Sequence, residues 1–382
     1  MGKIAIYKGL FQYDAVNVFA EEIGRGFEAL GKEIVYIDLT DQEHLAANIG
    51  NAISGSCEFV LSFGAVGHCI KTSDGRLLHE QLPFPFVAVL VDHPAHFIDR
   101  LNITNIIVAC IDRTHVEYLN HCFHGDKKIA FLPHGGCSAG APVPSKEKSI
   151  DILFPGTYMD QNESLQHIKM LGGSIQKWAF AALDLVLSRN NLPFEKALQK
   201  SGKELGIDLS DSNAYIGIAP IVSAIENMTR AIRRDKILSL LDENGISVNI
   251  FGNNWPDGLF KNHKVSPAKP FSEILGLMQK SKIVMNVGIY PNGSHERVFS
   301  AMLNGTAVLS DCNPYLSEVF EEDKDIAFYR WRELEKVPET INDLLSDSDK
   351  RQKMAKAGKE KAEKSHTWKS RAESVLKLVK DL

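Results

Sequence analysis

The apolar residues of this chain fall into two rhythms that alternate along its length. Short runs of mostly apolar residues are followed by longer stretches in which apolar positions recur every three or four residues. Residues 3–7 form a run of the first kind. Residues 14–30 are of the second, with Val16, Val18, Phe19, Ile23, Phe27 and Leu30 at helical spacing and Gly31 as the stop. Residues 33–39 read as a strand and 43–53 as a helix. The runs 59–63, 86–91, 106–111 and 129–132 are compact and apolar throughout, the pattern of strands covered on both faces. Strands separated by helical segments predict a parallel sheet with helices on either side.

The small residues and prolines of Gly135-Gly136-Cys137-Ser138-Ala139-Gly140-Ala141-Pro142-Val143-Pro144 carry no period and read as a linker. A second α/β half starts with a strand at 151–154 and the turn Pro155-Gly156-Thr157. Residues 161–241 are mostly helical in pattern, broken at Gly172-Gly173, 190–193 and 206–212. A crossover between parallel strands needs about a dozen residues, so most of this stretch is an inserted helical subdomain. The alternation resumes with a strand at 247–251, a helix at 272–280, a strand at 282–287, a helix at 296–303 and a strand at 307–310. Residues 333–382 read as lysine- and glutamate-rich helix. Two such halves leave a cleft between them, and ligands of open α/β sheets bind beyond the carboxyl ends of the strands. The strand-to-helix turns are therefore the places to look for chemistry.

Composition narrows the classes. A length of 382 residues suits two domains. The 43 basic and 48 acidic residues give a net charge of −5, no electrostatic reason to expect a nucleic-acid partner. Apolar and charged shares of 44% and 24% are those of ordinary globular chains and exclude disordered, collagen-like and coiled-coil classes. No apolar run reaches the roughly 18 residues of a membrane-spanning helix. The opening Met1-Gly2-Lys3-Ile4-Ala5-Ile6-Tyr7 enters a strand directly and does not read as a signal peptide. Cys57, Cys69, Cys110, Cys122, Cys137 and Cys312 form no C-x-x-C pair, so neither zinc nor a disulfide framework is expected; they read as buried, reduced thiols of a cytoplasmic protein.

The most informative stretch runs from Asn286 to Asp311. A buried strand ends in a loop containing Gly288, Asn292 and Gly293. A short helix is expected to open near Gly293-Ser294 and to stop at Gly305. Free amides and the helix dipole favour an anion at such a start. Arg297 in the first turn opposes that dipole, and a bound phosphate would compensate it. The plainer reading places Arg297 on a solvated face.

Asn286, Arg297, Phe299, Ala301, Met302, Gly305 and Asp311, in this order, resemble the C-terminal domain of CgeB-like (spore maturation protein type) glycosyltransferases, within the GT-B nucleotide-sugar transferases. Arg234-Asp235-Lys236-Ile237-Leu238, the strand running into Gly252-Asn253-Asn254-Trp255, and His366-Thr367-Trp368-Lys369-Ser370-Arg371 extend the resemblance over about 150 residues. The resemblance implies a GT-B fold of two Rossmann-like domains facing a cleft. Residues 1–145 would be the acceptor side and 146–360 the nucleotide-sugar side, with the helical insertion at about 161–241 and the helix 361–382 returning toward the first domain. It also implies a sugar donor linked to UDP, GDP or dTDP, a hydroxyl acceptor on a protein, glycan or lipid carrier, and no metal or other cofactor. Many retaining GT-B enzymes carry two glutamates about this helix; here Ser300 and, eight residues earlier, Asn292 stand in their places. Glu296, one turn before Ser300, is then the carboxylate available for the ribose. The same substitution keeps two alternatives open, a catalytically degenerate nucleotide-sugar binder and a GT-B-fold sugar-nucleotide epimerase.

The other candidates sit at other strand ends. Asn292, Gly293, Ser294, His295, Glu296 and Arg297 are joined as donor-binding residues by Gly156, Gly252 and Asn253, whose turns let backbone approach phosphate, by Arg234, and by Pro270, placed against the base. In the first half, Asp14 is a candidate base or simply the N-cap of its helix. Asp92 with His93 is a candidate acid–base pair, and His134 a candidate for the sugar or phosphates. Asp323-Lys324-Asp325 and Asp347-Ser348-Asp349 read as solvated surface rather than metal ligands. The dinucleotide fingerprint, the P-loop and the nucleophile elbow are missing, which disfavours nicotinamide or flavin, kinase and hydrolase chemistry. The apolar stretches of the insertion suit a core, an acceptor platform or a homodimer surface.

Overall fold

The computed structural model describes residues 2–141 and 143–381. The chain divides into two compact units. The first holds the residues up to Gly135 together with those from Thr367 on, and the second holds Gly136–His366.

In the first unit, β1 (Lys3–Lys8), α1 (Ala15–Glu28), β2 (Glu33–Asp38), α2 (Leu45–Ile53), β3 (Cys57–Phe63), β4 (Phe86–Leu90), β5 (Ile106–Cys110), α3 (Arg113–Phe123) and β6 (Lys128–Phe131) follow one another. The strands form one parallel sheet in the order β2-β1-β3-β4-β5-β6. Every residue of β4 and β5 is buried, as their unbroken apolar sequences predict.

The second unit opens with β7 (Ile150–Pro155). The helical stretch resolves into α4 (Gln161–Met170), α5 (Gly173–Leu187), α6 (Phe194–Glu204), α7 (Ser212–Gly217) and α8 (Ala219–Glu243). The Gly172-Gly173 break is real: both residues have positive φ, 68° and 48°, open to glycine at little cost. The end of α8 contributes Ile237, Leu238 and Leu241 to the core of this unit. It is thus the crossover to the next strand, and α4 to α7 are the insertion. Then come β8 (Asn249–Phe251), β9 (Lys264–Ser266), α9 (Phe271–Gln279), β10 (Ser281–Met285), α10 (Glu296–Leu303), β11 (Ala307–Asp311), α11 (Pro314–Val319) and β12 (Ala327–Tyr329). This sheet is also parallel, in the order β12-β11-β10-β7-β8-β9. Counted from β7 that is 3-2-1-4-5-6, the order of dinucleotide-binding folds. The three-residue strands β9 and β12 were not expected, being too short to carry a period.

The lysine-rich end is three helices rather than one: α12 (Val337–Ser346), α13 (Ser348–Ser365) and α14 (Trp368–Lys380). The breaks are capped. The Asp347 carboxylate accepts the Lys350 amide at 2.8 Å and the Thr367 hydroxyl accepts that of Ser370 at 3.2 Å. The last helix packs against α1 in the first unit. Trp368 lies between Phe19 and Phe63, with ring centroids 5.2 and 5.6 Å away. A Cβ on Gly26 would come within 2.8 Å of the Lys369 backbone, so glycine permits this approach.

Candidate functional site at the strand ends

In the second sheet the strand order reverses between β7 and β10. Beyond the carboxyl ends of these two strands lie Pro155-Gly156-Thr157 and the loop from Asn286 to His295. Such a reversal is where doubly wound folds bind ligands.

The helix α10 opens at Glu296, as the 296–303 pattern has it and not at Gly293-Ser294, with His295 as its N-cap; the His295 Nδ1 lies 3.3 Å from the Arg297 amide and against the Glu296 carboxylate. Gly293 and Ser294 stay outside the helix because Asn313 holds the preceding loop, donating its Nδ2 to the carbonyls of Tyr290 and Gly293 at 3.3 and 3.1 Å. Ser294 is buried, and Asn292 and Glu296 are half-buried.

Arg297 does not lie on a solvated face. It is buried and turned inward, with Nη2 donating to the Pro155 carbonyl at 2.6 Å and Nη1 to Asn286 Oδ1 at 3.2 Å. Its guanidinium also stacks over Phe154, 5.4 Å from the ring centroid. It therefore ties the end of β7 to the end of β10. Its Nε is buried without an acceptor among the described residues. Burial pushes this guanidinium below the usual arginine range; Glu296 pulls it back up, and Arg230 repels it. Burial likewise pushes His295 down.

Beneath the loop is a buried polar network that sequence reasoning did not resolve. The Gly288 amide donates to Asp311 Oδ1 at 2.8 Å, and Arg233 Nη1 donates to the Gly288 carbonyl at 3.2 Å. A side chain on Gly288 would run into the Asp311 carboxylate. Asn286 donates to Ser310 Oγ at 2.9 Å, and the Tyr329 hydroxyl donates to the Asn286 carbonyl at 3.0 Å. Burial raises Asp311, with Arg233 opposing; burial lowers Arg233, with Asp311 opposing. Each charge thus favours the ionised form of the other. Asn286 and Asp311 belong to the motif series, whereas Arg233 was overshadowed by its neighbour Arg234. Along the same helix face, Arg230 pairs with the buried Glu226 at 2.6 Å.

The turns after β7 and β8 support each other. Arg234 Nη1 donates to the Thr157 carbonyl at 2.5 Å, and Trp255 Nε1 to that of Gly156 at 2.8 Å. Arg297 and Arg234 thus bracket Gly156 from either side. Gly252 is glycine because any Cβ there would strike the Gly156 carbonyl, and a Cβ on Gly156 would meet the Phe154 ring. Asn253 accepts the Ala268 amide at 3.1 Å. Beside these turns opens a pocket of about 500 Å³ lined by Tyr158, Asp160, Glu163, His167 and Asn254 among others. Pro270 stands exposed at the start of α9. Of the acidic strings, Asp325 is not solvated: it is buried, accepting the Glu321 amide at 2.9 Å and the Lys361 ammonium at 2.6 Å. Asp347 is a helix cap. Of the cysteines, Cys69 is exposed and Cys312 half-buried; the other four are buried. No group of metal-ligating side chains is found among the described residues.

In the first unit the strand order reverses between β1 and β3. Asp14 follows β1, exposed, at the N-cap position of α1 but without a cap bond; Tyr13 and Asp14 both have positive φ, 57° and 59°. Asn17 donates to Asp14 Oδ1 at 2.7 Å and also clasps Gly9, so Asn17 rather than Asp14 orders this loop. Asp92 is half-buried. His93 is buried, its Nδ1 accepting the Ala95 amide at 3.1 Å and its ring edge-on to His115, 4.5 Å between centroids. His134 is buried beside Phe19 and Trp368. His79, which the sequence did not single out, stacks on Phe86 at 4.1 Å, and burial pushes its imidazole down to about 4.

No curated protein matches the chain by sequence. Residues 233–377 match the family described as "Glycosyl transferase-like". Among solved structures, sucrose-phosphate synthase from Thermosynechococcus elongatus superposes over 100% of this chain and 99% of its own, with a TM-score of 0.57 at 10% identity. Alpha-glucosyltransferase (AGT) in complex with UDP covers 99% of both chains, with a TM-score of 0.57 at 10% identity. The DNA-modifying enzyme beta-glucosyltransferase covers 100% of both, with a TM-score of 0.52 at 10% identity. The chain thus has the two-sheet fold of the GT-B glycosyltransferases, and the residues that match a glycosyl transferase-like family include β10, α10 and their connecting loop.

Proposed function

We propose that this protein is a nucleotide-sugar glycosyltransferase that moves a sugar from a nucleoside diphosphate to a hydroxyl acceptor. The observation that carries the reading is a coincidence of position. The segment that matches a glycosyl transferase family is the one that brings Arg233, Arg234 and Arg297 to the reversal point of a dinucleotide-type sheet. Amides at the start of α10 and the neighbouring guanidinium groups meet the charge that develops on the departing diphosphate, in a site already organised for it. Arg297 does this partly through others, because it sets the two strand ends whose backbone faces the phosphates. Glu296 is the carboxylate for the ribose. Ser300 does not stand in for a lost catalytic group: it is fully buried and its hydroxyl accepts the Cys137 amide at 3.0 Å. Uridine is the first nucleotide to try, since AGT was solved with UDP and beta-glucosyltransferase with uridine diphosphoglucose. The motif series favours the CgeB-like subtype.

The test is a thermal-shift panel of UDP-, GDP-, dTDP- and CMP-sugars, followed by transfer assays with and without EDTA. Stabilisation by one nucleotide class and chelator-resistant transfer are expected. No stabilisation by any of them would overturn the reading, and transfer abolished by EDTA would overturn its metal-independence.

A further inference from the structure

The second sheet has a chemically marked opposite edge. Its strands are all parallel, so the residues that precede β7 and begin β10 lie about one strand length, roughly 17 Å for five residues, from the arginine site. There Lys148, Lys282 and, from α13, Arg351, Lys353, Lys356 and Lys359 line a pocket of about 380 Å³.

The positive charge of this pocket is only partly cancelled. Lys282 has Asp151 at 2.6 Å. Among the described residues, Lys356 and Lys359 pair with their own-helix glutamates alone, Glu360 at 3.9 Å and Glu363 at 3.3 Å. Lys148 donates to three neutral acceptors, the carbonyls of Gln279 and Ser281 and the Thr306 hydroxyl, each at 2.9 Å. Arg351 spends Nη1 on the carbonyls of Leu344 and Leu345 and forms no ion pair among the described residues, although Asp151 and Asp347 favour its charge against burial. Burial, with Arg351 repelling, holds Lys148 at about 8. The Lys353 ammonium has no acceptor among the described residues. These side chains ring a concavity of the size that holds small molecules, whereas a nucleic acid or a bilayer needs an extended face.

We propose that this pocket is a second anion site, distinct from the donor site, that takes a small oligophosphate. A linear triphosphate carries the charge that Arg351, Lys353, Lys356 and Lys359 present, and it occurs both as inorganic polyphosphate and as the tail of a nucleoside triphosphate. The inference does not depend on the glycosyl-transfer reading.

Isothermal titration at low ionic strength with inorganic tripolyphosphate and with ATP tests it, on the unaltered chain and on K353E/K356E, K353Q/K356Q and R297A. Lys353 and Lys356 are exposed on a solvated helix, so both double variants should fold. Binding that falls more than about tenfold in both double variants and persists in R297A is expected, as charge-assisted contacts are lost. Tighter binding of ATP assigns the nucleoside form, and equal binding assigns the inorganic form. No binding at millimolar ligand overturns the proposal. So does binding that survives the double variants and vanishes in R297A, or binding only of an oligonucleotide or anionic vesicles.

Discussion

The two sheets are built alike, parallel and reversing once, yet the side chains gathered at their reversal points differ in kind. At β7 and β10 the buried groups include permanently charged guanidinium ions, one of them, Arg233, beside the Asp311 carboxylate. Arg233 and Arg297 are anchored on the backbone carbonyls of Gly288 and Pro155. At β1 and β3 the buried titratable group is an imidazole: His79 approaches the Tyr7 hydroxyl at 3.5 Å and the Gly67 carbonyl at 3.1 Å. An arginine cannot shed its charge when desolvated, so it must be fixed by acceptors or by an anion. A histidine sheds its proton instead. The same architecture thus offers a lasting positive field in one unit and a neutral, pH-sensitive core in the other.

Arg297→Ala cuts deepest into that contrast. It removes two charge-assisted hydrogen bonds, each worth about 1.5–3 kcal/mol, and UDP affinity should fall by roughly 100-fold or more in calorimetry. Arg297→Lys should lose most of that affinity too, since an ammonium cannot span Pro155 and Asn286 in one plane. A lysine variant that binds like the parent would reduce Arg297 to a bare charge. Next comes acidity. His79 takes up a proton below 6.5 when unfolded but only near 4 when folded. Stability present above pH 6.5 should therefore drain away as pH falls toward 4, by about 1.4 kcal/mol per unit within that window. Urea unfolding at pH 7 and 4.5 reads this, and His79→Gln should flatten the slope. An unchanged slope in that variant would move the effect to another group. The smallest effect is at Ser300→Ala, which should cost about 1 kcal/mol of stability and leave UDP affinity within about twofold. A large loss of affinity there would return Ser300 to the donor site.

What the chain disclosed in advance follows from what is local. The runs that became β4 and β5 are apolar throughout, and the end of α10 was legible because Gly305, at φ 69°, stops it. The three-residue β9 and β12 give no period to detect. That Gly293 and Ser294 stay outside α10 could not be read locally, because the loop is held by Asn313, twenty residues beyond Gly293. The direction of Arg297 was hidden for the same reason, since its acceptor at Pro155 lies 142 residues away. Residue types marked the right neighbourhood, while orientation was set by contacts no window contains.

The packing of α14 on α1 has an order in time. The face of α1 that includes Phe19 and Gly26 is covered by a segment that a ribosome makes only after all of Gly136–His366. Throughout synthesis of the second unit, the nascent first unit holds an open apolar seam. That seam is closed only when α14 arrives on α1.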